Sequence, residues 1–91
     1  MQTSDQLFLH LVYIFHSSAM VAMGKLKNPA TDKIERDLDQ AKQSIDILEM
    51  LKVKTQGNLS PELSTMLDKF LTDLRLNFVD EKNKDLIGTK E

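Results

Sequence analysis

The longest regular pattern of apolar and polar positions runs from Lys33 to Gln56, KIERDLDQAKQSIDILEMLKVKTQ. Ile34, Leu38, Ala41, Ile45 and Leu48 recur at steps of four and three, which draws one apolar stripe along a helix. Ile47, Leu51 and Val53 widen the stripe toward its end, and no Gly or Pro interrupts it. Thr31 or Asp32 stands where an N-cap is needed, and Asp32 has Glu35 at capping-box spacing. Gly57 follows the pattern as a C′ residue able to adopt the left-handed conformation.

The segment before it, Leu7 to Gly24, is apolar at 13 of 18 positions and carries no fixed charge. It does not alternate and is too long for an ordinary strand, so its pattern also predicts a helix. Ser4 and Asp5 can cap its start. Gly24 closes it, and Asn28-Pro29 marks the turn that follows. After the hinge, Ser60-Pro61 opens a third helix, with Ser at the cap and Pro at the first helical position. Leu63, Leu67, Phe70, Leu74 and then Asn77 or Phe78 form its stripe.

The expected fold is all-α, one domain over residues 1–91, with helices at about 7–24, 33–56 and 61–80. Residues 1–6 and the charged stretch 81–91 are expected as partly flexible tails. The connection from Gly57 to Ser60 is short, so the last two helices form a long antiparallel hairpin. In that register Leu51 faces the region of Leu67, Leu48 faces Phe70 or Leu71, and Ile45 faces Leu74. Asp46 then comes within reach of Arg75, and an ion pair between them is predicted across the hairpin. Its first role is to fix helix register. A part in a binding site is the alternative.

Composition narrows the function classes. The 12 basic and 14 acidic side chains nearly cancel, to a formal net charge of −2, and the basic ones are scattered. A nucleic-acid partner would need a basic patch, so none is expected. The chain has no Cys, which removes disulfides, thiol chemistry and Cys-ligated zinc. A reducing, cytoplasmic setting is compatible with this. His10 and His16 lie six residues apart, about 600° of helical rotation, and so point to different faces. They lack the spacing and the third ligand of a metal site. No nucleophile–base arrangement or paired carboxylate stands out. The expectation is no catalytic residue, no cofactor and no metal: a non-enzymatic protein.

The first segment bears most on function. No positive region precedes it, which argues against a signal peptide. His10, His16, Ser17 and Ser18 interrupt it, which argues against a membrane span. It holds no Lys or Arg to meet anionic lipid, so a membrane-surface role is the weaker alternative. Two partner helices in so short a chain can hardly surround it. Part of its surface is therefore expected in a homo-oligomer, with a dimer favoured, or against a protein partner. A small enzyme with an unrecognised site is the remaining alternative.

The block Ile45-Asp46-x-Leu48-x-Met50-Leu51-x-x-Lys54-Thr55-x-Gly57-Asn58-Leu59 resembles a family of short bacterial proteins classed as a domain of unknown function. The likeness runs from about Leu7 to Val79 and includes Ala19 to Gly24, Asn28-Pro29 and Leu74-Arg75-Leu76. It implies a compact, cytoplasmic, all-helical protein and brings no catalytic residues with it. It singles out Asp46, Lys54, Thr55, Gly57, Asn58 and Arg75 as a candidate polar network or docking site. Gly57 has a sufficient explanation in backbone conformation. Thr55 and Asn58 can satisfy loose backbone groups at the hinge.

Overall fold

The computed structural model describes residues 3–88. It is all-α, with helix α1 at Thr3–Ala22, α2 at Leu38–Lys54 and α3 at Pro61–Gly88. The molecule measures 50 × 26 × 16 Å. Helix α2 packs on both α1 and α3, and α1 also meets α3.

Helix α1 ends as its glycine predicts. Gly24 has φ +81°, the Lys25 amide donates to the Met20 carbonyl at 2.9 Å, and the Gly24 amide donates to Val21 at 3.0 Å. These two bonds satisfy carbonyls that the last helical turn leaves open. At the other end the helix already includes residues 3–6, placing Ser4 and Asp5 in its first turn.

The second helix begins at Leu38, five residues later than the expected start at residue 33. Asp37, not Thr31 or Asp32, is the N-cap, and its carboxylate accepts from the Gln40 amide at 3.2 Å. Residues 34–37 have no regular hydrogen-bonded structure. Tertiary bonds explain this. The Asp37 amide donates to the Ala22 carbonyl at 2.7 Å, and the Asn28 amide donates to the Lys33 carbonyl at 2.8 Å. The segment is thereby tied back to the end of α1. Asp32 takes a left-handed conformation, φ +56°, in the turn between Asn28 and Lys33. Ile34, the first residue of the expected stripe, is exposed.

Helices α2 and α3 form the expected antiparallel hairpin. Gly57 has φ +85°, and a β-carbon there would meet no atom within 4 Å, so only the backbone conformation asks for glycine. Ser60 caps α3, its hydroxyl accepting from the Leu63 amide at 3.2 Å. Two ion pairs cross the hairpin, Lys52–Asp68 at 2.7 Å and Glu49–Arg75 at 3.0 Å. Helix α3 does not stop near residue 80. It continues to Gly88, so 81–88 are helical; the rest of the expected tails, residues 1–2 and 89–91, lie outside the described residues.

The core draws on all three helices. Val12, Ala19, Ala22 and Met23 meet Ala41, Ile45 and Leu48 from α2 and Leu67, Leu71 and Leu74 from α3. Phe70 ties α1 to α3, with its ring 5.4 Å from Tyr13 and 4.8 Å from His16. The outer side of α1 is left open. Leu7 is 67% and Ile14 50% exposed, and Leu11 is exposed beside them.

Candidate functional site

The polar residues singled out in the sequence do not form one network. Asp46 is exposed on α2 and accepts from Lys42, one turn back, at 2.8 Å. Arg75 binds Glu49 instead of Asp46, so the predicted Asp46–Arg75 pair is not formed. Helical phase gives the reason. At 100° per residue Asp46 falls about 150° from the middle of the α2 core stripe, whereas Glu49 falls about 90° away, on the edge beside α3.

The other four residues sit at the hinge. Thr55 is the C-cap of α2, and its hydroxyl donates to the Leu51 carbonyl at 2.6 Å. The Asn58 amide donates to the Thr55 carbonyl at 2.9 Å. Lys54 and Asn58 are exposed. Thr55 and Gly57 line a shallow depression of about 300 Å³ with Lys52, Leu59 and Asp68. Thr55 thus ends the helix through its side chain, and Asn58 takes part through its backbone N–H.

The strongest polar cluster lies at the opposite end of the molecule. Glu81 of α3 has a side chain only 8% exposed, and three cations surround it. Lys25 stands at 2.9 Å, Arg36 at 3.0 Å and Lys84 at 2.9 Å. Arg36 also donates to the Glu81 carbonyl at 2.9 Å and reaches Asp85 at 2.8 Å. Asp80 flanks the cluster at 3.5 Å from Lys25 and 3.4 Å from Lys84. Hydrogen bonds from Lys84 and Lys25, with Arg36 adding to them against the cost of burial, hold the Glu81 carboxyl at a pKa of about 2. The carboxylate is therefore charged throughout the physiological range. The cluster fastens the far half of α3 to the connection between α1 and α2.

None of these six residues was singled out as a site from the sequence, and Glu81, Lys84 and Asp85 fall in 81–91, which reads as a charged tail. A signal was nevertheless present. Glu81 continues the α3 stripe after Leu74, Asn77 and Phe78 at steps of three and four, and no Gly or Pro intervenes before Gly88.

Beside this cluster an open groove of about 470 Å³ runs between α1 and the connection. Ile14, Ser17, Val21, Pro29, Arg36 and Gln40 are among its lining residues. The Arg36 guanidinium is already committed to Glu81 and Asp85.

Histidines 10 and 16 face different sides, as their spacing requires. His10 is exposed; His16 is half-buried against Phe70. Burial pushes the His16 imidazole below its usual range, and the Asp73 charge partly opposes this. Nearby, Ser44 of α2 donates to Ser18 of α1 at 3.3 Å, joining the two helices inside the packed region. Among the described residues, no group of three or more His, Cys, Asp or Glu is placed to hold a metal ion. No helix of the described residues is long and apolar enough to cross a membrane.

No curated protein and no solved structure matches the chain. A family model, the domain of unknown function DUF1844, matches residues 5–81, from the first turn of α1 through the buried glutamate of α3. The chain, an all-helical protein of three helices, belongs to that family.

Proposed function

We propose that this protein is a non-enzymatic helical association module, whose copies assemble through the outer face of α1. One observation carries the reading: an uncharged segment leaves Leu7, Leu11 and Ile14 in water on one side of the helix in the single chain. Contiguous apolar surface of this kind favours association. A two-fold dimer is the favoured form, since one self-complementary patch is then enough. A cytoplasmic setting belongs to the same reading. The absence of Lys and Arg from Leu7 to Gly24 favours a protein surface over anionic lipid as the occupant.

Sedimentation equilibrium tests this. The wild type is expected to sediment as more than one copy, and Ile14→Glu with fewer copies than the wild type, at unchanged helical circular dichroism. A wild type that stays monomeric at high concentration would overturn the reading, as would an Ile14→Glu variant with wild-type mass. Co-sedimentation with anionic vesicles would favour the membrane-surface alternative.

A further inference from the structure

Helix α3 carries a second apolar stripe on the side facing away from the core. Its buried side includes Leu67, Leu74 and Glu81. Thr72, Leu76, Val79, Asn83 and Leu86 follow one another at steps of four, three, four and three. At 100° per residue this second set is centred roughly 160° from the first. Leu76 is 66% and Val79 56% exposed, and Thr72, Asn83 and Leu86 are exposed with them. The steps are those of a heptad seam, with Leu76 and Asn83 at its a positions and Thr72, Val79 and Leu86 at its d positions.

We propose that this face is a two-stranded parallel seam with α3 of a second copy of the chain. Two features select that occupant. A lone asparagine at an a position pairs with its own copy across a parallel dimer and fixes register there, whereas it leaves an amide among apolar groups in other arrangements. Charge agrees as well. In parallel register Arg75, at a g position, approaches Asp80 of the second copy at an e position five residues on. Both side chains are about half exposed beside their internal partners, so each has room for a further contact.

The seam spans only about two heptads, too short for isolated helices to associate. Here the helix is already built. Its core face is packed as far as Phe78, and Glu81 and Asp85 hold its far half through Arg36. That fixes the rotation of α3 and keeps the seam turned outward. The α1 and α2 helices lie on the opposite side, clear of a second copy. The seam is independent of the α1 face proposed above.

Single-cysteine cross-linking tests the seam, because the chain has no cysteine of its own. Thr72→Cys and Asn83→Cys are oxidised mildly, beside Gln43→Cys on the exposed side of α2 as a control. In parallel register both seam variants form disulfide dimers at least tenfold faster than the control. Both also lose that advantage when Leu76→Glu is added. Neither variant exceeding the control would overturn the proposal, and so would only one doing so, which means another orientation. Cross-linking that survives Leu76→Glu overturns it as well. The same set in an Ile14→Glu background separates the two surfaces: the seam still cross-links there, whatever the α1 face does.

Discussion

The two ends of the helical hairpin are held by different forces. At the hinge end the chain turns through Gly57 and Ser60, with local caps and two exposed ion pairs, above a core of fully buried leucines. At the open end the connection and the last turns of α3 meet through a buried carboxylate with three cations. Apolar burial does not need particular partners, so the hinge end tolerates changes at its surface. The open end depends on one charge, because a buried carboxylate is acceptable only while its hydrogen bonds and counter-charges are in place.

The largest expected effect lies in the core between those ends. Leu48 is fully buried where α1, α2 and α3 meet. Leu48→Ala should lower unfolding free energy by about 2–5 kcal/mol in urea denaturation. A loss below 1 kcal/mol would mean that the three helices do not share one core.

Glu81→Gln tests the open end directly. It keeps the side-chain shape and removes the charge, and it should cost about 1–3 kcal/mol. Hydrogen exchange should rise along residues 82–88 more than around the hinge. The pH dependence follows from the depressed pKa. Between about 4.5 and about 2 the unfolded chain binds the Glu81 proton and the folded chain does not. Stability from this group is complete above that window and is lost as pH falls through it. Acid titration of the wild type should therefore show a steeper loss there than Glu81→Gln. Equal slopes would show that the cluster does not hold the end of α3.

The smallest effect is expected at the surface of the hairpin. Glu49 and Arg75 are each about half exposed, so Glu49→Ala should change stability by only about 0–1 kcal/mol and less in high salt. A cost equal to that of Glu81→Gln would erase the contrast between the two ends.

Most of the fold was legible because helices announce themselves locally. The stripes of α2 and α3, Gly24, Gly57 and Ser60-Pro61 each state a requirement that neighbouring residues satisfy. The errors fell where distant residues decide. Residues 33–37 have a helical pattern, yet the Ala22 carbonyl and the Glu81 carboxylate draw Asp37 and Arg36 into other bonds. Asp46 and Arg75 were placed opposite each other by register alone. Their rotation about the helix axes sends each to another partner.

The chain's own order of residues thus determined three helices, the hairpin between the second and third, and an α1 too apolar to be covered by them. Only the folded arrangement decided where α2 starts, how far α3 runs, and that Glu81 is a buried anchor in place of a tail charge. The reason is range. Periodicity and capping act within a few residues, whereas a charge finds its partners across a 45-residue separation only once the helices have packed.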